Sequence, residues 1–166
     1  MSKININGKD FTVEELNQLI ESSKKQTPKT YKGKYLVAPE DGTEYWFVYS
    51  DGGIDKAPWA DDWSDTGMLA SGNCYATEEA AQLEADNRKT RFELEKFAEE
   101  NNEGEIDWED VNQKKHSIGY DQVDKHPYVS GCYFCQSSTL PYFTSEEIAK
   151  KAIDTIGEER IKKLFS

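Results

Sequence analysis

The sequence predicts an α+β fold: an N-terminal hairpin and helix, then two small antiparallel sheet-plus-helix units. Short runs of aromatic and β-branched residues, typical of strands, alternate with segments that begin like capped helices. The same helix opening occurs at 75–81 and again at 143–149, 68 residues later. It consists of an aromatic residue, any one residue, Ser or Thr, and then Glu-Glu. It indicates either an internal duplication or repeated use of a good helix start. The predicted boundaries are 1–27, 34–98 and 111–166.

Turn and capping signals define the N-terminal elements. Asn7-Gly8 is a strong type I′ turn signal, which favours a hairpin. Thr12 followed by Glu15 is a capping box, which predicts the start of a helix. A polar stretch with a proline follows and is typical of a linker. The predicted hairpin, helix and linker cover residues 4–11, 13–25 and 26–33.

The first unit combines two aromatic strands with the longest predicted helix. An Asp-rich stretch containing Pro58 separates them and is expected to be irregular, as long functional loops often are. Thr77 is the expected N-cap, and the two glutamates after it favour the positive end of a helix. The predicted elements are strands at 35–38 and 44–49, irregular residues 54–72 and a helix from about 78 to 98.

The second unit repeats this order. Two further strand segments form a pair that Pro127 is expected to bend, and Tyr142-Phe143 ends a third strand. Ser145 caps a helix that Gly157 terminates, and a short last helix follows. The predicted elements are strands at 115–120 and 128–136 and helices at about 146–156 and 158–165.

The formal net charge of −12 is concentrated in two stretches. Residues 38–66 contain eight acids and one base, and residues 99–110 contain seven acids and no base. Because clustered like charges weaken a compact state, this pattern predicts a basic partner. Phosphate and anionic lipid repel such a surface, so direct nucleic-acid binding and membrane binding are not expected. Three cysteines and the lack of an apolar leader favour a reducing cytoplasm.

The segment Trp59-Ala-Asp-Asp-Trp-Ser-Asp65 is the first candidate contact site. Tryptophan anchors binding hot spots and aspartate pairs with Arg and Lys, although both rings could instead pack beneath the loop. The acids of 99–110 are the second candidate, either as a contact surface or as a solvated connector. The predicted partner-binding residues are Trp59, Asp61, Asp62, Trp63, Asp65, Glu99, Glu100, Glu103, Glu105, Asp107, Glu109 and Asp110.

Metal-binding alternatives fit the sequence less well. Residues 99–110 have the outline of a calcium loop, but Glu and Asp are exchanged at its first and last positions. Cys132 and Cys135, with Cys74 and two histidines, could supply zinc ligands, yet on one strand the first two would point to opposite faces. Neither a phosphate loop, a nucleophile elbow nor a metalloprotease motif occurs in the sequence. We therefore expect no catalytic residues, no bound metal and no cofactor.

Three segments carry a family resemblance: Ile4-Asn-Ile-Asn-Gly-Lys-Asp-Phe-Thr-Val-Glu-Glu-Leu16, Gly72-Asn-x-Tyr-x-Thr-Glu-Glu-Ala80, and Tyr142-Phe-Thr-Ser-Glu-Glu-Ile-Ala-Lys-Lys-Ala-Ile153. Together they resemble small acidic proteins encoded by phages and prophages of low-GC Gram-positive bacteria. The resemblance implies a phage origin and an inhibitor of a host enzyme that handles nucleic acid, such as a CRISPR or restriction nuclease. The expected mechanism is acidic mimicry in the host cytoplasm. The alternative is a phage assembly protein or a ligand-sequestering accessory.

Overall fold

The structure, a computed structural model, describes residues 3–6, 9–17, 34–37, 39–136 and 138–166. Its strands are β1 (Lys3–Ile6), β2 (Lys9–Thr12), β3 (Glu44–Val48), β4 (Ile54–Pro58), β5 (Lys115–Asp121), β6 (His126–Cys132) and β7 (Tyr142–Phe143). Its helices are α1, described over residues 13–17, then α2 (Trp63–Ala70), α3 (Glu78–Asn101), α4 (Glu146–Ile156) and α5 (Glu158–Lys163). The predicted α+β class is confirmed.

The N-terminal hairpin and capping box form as predicted. Strands β1 and β2 pair antiparallel, with Ile4 opposite Phe11. The backbone N–H of Thr12 donates to Glu15 Oε2 at 2.8 Å, and the N–H of Glu15 donates to Thr12 Oγ1 at 3.2 Å. The predicted Asn7-Gly8 turn and the 26–33 linker lie outside the described residues.

The first sheet differs from its prediction. Residues 54–72 are not irregular: β4 pairs antiparallel with β3, and α2 follows it. The predicted strand at 35–38 reduces to a bridge between Tyr35 and Tyr75. Tyr75 also bridges to Trp46 on β3, so a third, one-residue strand lies beside the first strand of the hairpin.

The second sheet has the order β6-β5-β7. Pro127 lies within β6 opposite Tyr120, where an edge strand tolerates the missing N–H. Strand β6 ends at Cys132, four residues earlier than predicted, because the chain turns there. Strand β7 pairs with β5 and places Phe143 opposite His116.

The two units therefore share one local plan. In each, an aromatic residue pairs with the first strand of a hairpin, Trp46 with Tyr75 and His116 with Phe143. Two residues after each of these aromatics, Thr77 or Ser145 caps the next helix through its side-chain oxygen. The repeated helix opening thus repeats in three dimensions.

Helix α3 belongs to both units. Ala81 and Ala85, in its N-terminal half, pack with the first unit, against Val48 and Tyr75. Its C-terminal half contributes Leu94, Phe97 and Ala98 to the core of the second unit, which also contains Ile118, Leu140, Phe143, Ala149, Ala152, Ile153, Ile156 and Ile161. The predicted first unit, 34–98, thus contains residues that pack in the second. None of the described helices combines the length and apolar character needed to cross a membrane.

Candidate acidic interaction surface

Trp59 does not serve as the exposed anchor that we predicted. Its side chain is 5% exposed and packs in a cluster with Tyr45, Phe47 and Cys74. The Trp59 and Tyr45 rings meet edge to face with centroids 6.0 Å apart. Strand pairing causes the burial, since the Trp59 N–H donates to the Thr43 carbonyl at 2.8 Å.

Asp65 is also structural rather than exposed. The Tyr45 hydroxyl donates to Asp65 Oδ1 at 2.8 Å, and the Ala60 N–H donates to Oδ2 at 2.6 Å. The Ala60 hydrogen bond, followed by that of Tyr45, holds the pKa of the Asp65 carboxyl below its usual range. Burial, together with Asp65, raises the pKa of Tyr45. Predicting Asp65 as a contact residue was wrong because α2 turns its side chain inward.

Trp63 remains exposed at the start of α2, with 87% of its surface accessible. Asp62 is the N-cap of this helix, and its Oδ1 accepts from the N–H groups of Ser64 and Asp65 at 2.8 and 2.9 Å. Asp61 adopts a left-handed backbone with φ of 53°, which Asp tolerates better than most residues. Both carboxylates stay exposed beside the indole.

A turn that the sequence had not assigned to the site adds two further carboxylates. The Gly42 N–H donates to the Trp59 carbonyl at 2.8 Å, so the exposed Glu40 and Asp41 lie beside the approach to α2. We name Glu40, Asp41, Asp61, Asp62 and Trp63 the Trp63 surface. Within the described residues, no Lys or Arg forms an ion pair with its four carboxylates.

The 99–110 segment is an ordered loop that begins in the last turn of α3. Gly104, with φ of 97°, supports the left-handed turn after the helix. Asp107 Oδ1 accepts from the Glu109 N–H, and Asp110 Oδ1 accepts from the Asn112 N–H, each at 2.8 Å. Five exposed glutamates remain, Glu99, Glu100, Glu103, Glu105 and Glu109, of which Glu100 pairs with Lys96 at 3.7 Å.

Backbone and side-chain bonds attach this segment to the second sheet. The Asn102 side chain donates to the Tyr142 carbonyl and accepts from the Thr144 N–H, both at 3.0 Å. Trp108 meets Tyr142 edge to face with ring centroids 4.8 Å apart. The segment therefore covers the sheet face that carries Tyr142.

Lys115, which the sequence did not single out, fixes the end of the segment. Its side chain is fully buried, and its Nζ donates to the Asp110 carbonyl at 2.6 Å and the Tyr133 carbonyl at 3.2 Å. The same nitrogen lies 5.5 Å from the centre of the Trp108 ring. Two carbonyls and an aromatic face thus replace the water that a buried ammonium loses.

Neither proposed set of metal ligands comes together. The carboxylates of Asp107 and Asp110 accept from nearby backbone N–H groups. Cys74 is buried in the first unit, where desolvation raises the pKa of its thiol to about 11, whereas Cys132 ends β6 in the second unit and Cys135 follows that strand. Over residues 3–6, 9–17, 34–37, 39–136 and 138–166, no group of three His, Cys, Asp or Glu side chains could hold a metal ion.

A cationic cluster surrounds one carboxylate of α3. Three cations, Lys34, Arg88 and Arg91, surround the buried carboxylate of Glu84. Burial alone would raise the pKa of Glu84, but the hydrogen bond and charge of Lys34, the hydrogen bond of Arg88 and the charge of Arg91 hold that pKa below its usual range. The first acidic stretch belongs to the unit on the N-terminal half of α3, and the second begins at the helix C-terminus. The two stretches are therefore attached to different ends of α3.

Comparison of the sequence and structure with protein-family models, curated proteins and solved structures gives no match.

Proposed function

We propose that this chain is a non-enzymatic, phage-encoded inhibitor that binds a basic, nucleic-acid-binding surface of a host defence enzyme. The Trp63 surface carries the proposal, since it combines an exposed indole with four exposed carboxylates that form no ion pair with any described residue. An aromatic anchor within a charged rim is the usual composition of a binding hot spot. An enzyme that holds phosphates, such as a CRISPR or restriction nuclease, offers the Lys and Arg that carboxylates pair with.

The 99–110 segment is the second part of the proposed interface. Its exposed glutamates lie in the last turn of α3 and in the ordered loop that follows, so the backbone that carries their charge is held in place. Because this segment belongs to the second unit and the Trp63 surface to the first, each acidic surface contacts its own region of the partner. Together they supply the negative charge by which the protein competes with nucleic acid.

Competition binding tests the proposal. Purified CRISPR effectors and restriction nucleases are titrated with the protein in the presence of labelled guide RNA or DNA substrate, at low and high salt. We expect displacement that weakens with salt. Trp63→Ala should weaken binding about tenfold or more, as loss of a hot-spot aromatic does. Neutralising Glu40→Gln, Asp41→Asn, Asp61→Asn and Asp62→Asn together should slow association and flatten the salt dependence.

Matched control variants show whether a loss of binding is specific to the Trp63 surface or follows from losing any exposed aromatic or any four negative charges. Phe92→Ala removes an exposed aromatic from α3. Asp124→Asn, Glu147→Gln, Asp154→Asn and Glu158→Gln remove the same charge from exposed positions of the second unit. Both controls should bind like the wild type. Equal losses in test and control variants, or no displacement from any nuclease, would contradict the proposal. Self-association with no nuclease binding would favour an assembly accessory.

A further inference from the structure

We propose that Cys132 and Cys135 form a thiol–disulfide exchange site that closes a reversible bond across the loop after β6. Strand β6 ends at Cys132, and the chain turns so that Cys132 Sγ lies 2.9 Å from the carbonyl oxygen of Cys135. Standard bond lengths then place this sulfur within about 6 Å of the Cys135 Cα. Cysteines joined by a disulfide have Cα atoms roughly 4.4–6.8 Å apart, and a Cys132 sulfur this close to the Cys135 backbone needs only a local adjustment of the turn to reach the Cys135 sulfur.

The rest of the fold holds this turn in place. Cys132 pairs with Lys115 across β5 and β6, and the buried Lys115 ammonium donates to the carbonyl of Tyr133, inside the loop, at 3.2 Å. Only two residues separate the cysteines, so closing the ring costs little chain entropy. The approach of the two cysteines therefore arises from a fixed turn.

Exposure divides the three cysteines by role. Cys135 is exposed and Cys132 is partly exposed, whereas Cys74 is 1% exposed in the first unit's core. A disulfide reagent in solution reaches Cys135 first, and Cys132 lies close enough to resolve the adduct. Cys74 serves as an unreactive internal reference.

The chemistry requires a disulfide oxidant, for which glutathione disulfide is the proposed reagent. The Cys135 thiolate attacks one sulfur of glutathione disulfide, forming a mixed disulfide and releasing one glutathione thiolate, which takes up a proton. The Cys132 thiolate then attacks the Cys135 sulfur and releases the second glutathione. Two protein thiols lose two electrons and two protons, and one glutathione disulfide becomes two glutathiones.

Intact-mass measurement and thiol counting on the folded protein test the proposal. After incubation with glutathione disulfide, we expect the wild type to lose two of its three thiols, to lose the mass of two hydrogens and to retain no glutathione. Reduced glutathione should reverse the change. Cys74→Ser should behave in the same way, whereas Cys132→Ser should stop as a stable mixed disulfide on Cys135.

Three outcomes would overturn the proposal. They are glutathione retained on both Cys132 and Cys135 of the wild type, disulfide-linked dimers as the main product, and no loss of thiols while Cys135 remains open to alkylation. Circular dichroism of Cys132→Ser and Cys135→Ser checks that the variants are folded. These results do not depend on nuclease binding, so this proposal and the proposed function can fail separately.

Discussion

The two units build the same arrangement from different residues. One strand residue of each unit pairs with the aromatic of the third strand: Trp46 in the first unit and His116 in the second. Two positions later in each strand, Val48 and Ile118 belong to core clusters that include residues of α3. The residue before each pairing position, Tyr45 or Lys115, is buried on the other face of its sheet. There, each extends a polar group to an acidic stretch, Tyr45 to Asp65 and Lys115 to the Asp110 backbone.

This comparison explains how a small protein retains so much negative charge. Each acidic stretch contributes one tryptophan against its sheet, Trp59 in the first unit and Trp108 in the second, so both stretches are part of the fold. Their remaining carboxylates point outward because their apolar residues and backbone are already bound. The arrangement of strands and helix repeats, while the two acidic stretches differ in sequence and in the exposed groups they present.

The largest predicted effect comes from truncating the third-strand aromatics. Tyr75→Ala and Phe143→Ala each remove an aromatic side chain with no more than 1% exposure and should cost about 3–5 kcal/mol in free energy of unfolding. Because α3 packs in both cores, urea denaturation followed by circular dichroism should show one transition for each variant. Exposed Phe92→Ala should change stability by less than about 0.5 kcal/mol. Two separate transitions would show that the units unfold independently.

Next in size is the loss of the buried cation in the second unit. Lys115→Met keeps the length of the side chain but leaves the Asp110 and Tyr133 carbonyls without their donor. It should cost about 2 kcal/mol, and exposed Lys114→Met should be close to neutral. Urea denaturation measures both, and tryptophan fluorescence reports whether Trp108 becomes solvated. Wild-type stability in Lys115→Met would mean that the ammonium does not hold the segment.

The equivalent change in the first unit should be smaller. Tyr45→Phe removes only the hydroxyl that donates to Asp65 Oδ1, which should cost about 1 kcal/mol. Tyr49→Phe, which loses an exposed hydroxyl bond to Asp55, is the matched control and should be nearly neutral. If Tyr45→Phe lowered the free energy of unfolding as much as Lys115→Met, the two acidic stretches would be held equally strongly, contrary to our expectation.

The smallest effects concern pH. Burial, then Lys114, lowers the pKa of His116, while Glu146 and Glu147 oppose the shift. Its unfolded form gains a proton first, so its contribution is present above about pH 6.5 and is lost as pH falls through the folded pKa. Asp65 also has a lowered pKa, so its contribution is present above about pH 4 and is lost below it.

Stability measured between pH 8 and pH 3 tests these two windows. His116→Phe should reduce the change just below pH 6.5, and Asp65→Asn should reduce the change below pH 4, where Glu84, whose pKa is also lowered, retains its own contribution. Each variant should leave the other window as in the wild type. A variant that reduces the change in both windows, or in neither, would contradict the contribution we assign to its residue.

Local signals explain the part of the fold that the sequence predicted. Thr12, Thr77 and Ser145 each cap through their own side chains, and such caps depend on neighbours three residues away. Strand β4 was missed because Ile54-Asp-Lys-Ala-Pro58 has weak strand propensity and forms by pairing with β3. Helix α2 was missed because Gly67, Ser64 and Thr66 are poor helix formers.

The candidate site was only half predictable for a related reason. Trp59 and Trp63 have similar acidic neighbours in the sequence, yet the first is buried by strand pairing and the second is exposed on a helix. An available signal was Asp62, whose role as N-cap places Trp63 at the first helical position. Lys115 had no sequence signal, because its partners are backbone carbonyls, which any residue type can supply.

The sharing of α3 also determines how the molecule can vary. The helix spans 24 residues, which at 1.5 Å each is about 36 Å, and its phase sets how the two units face one another. Inserting a single residue at its centre would lengthen it by about 1.5 Å and rotate one unit by about 100° relative to the other. Length changes in α3 therefore change the angle between the two units. Only insertions close to whole helical turns keep the two acidic stretches in their present relative orientation.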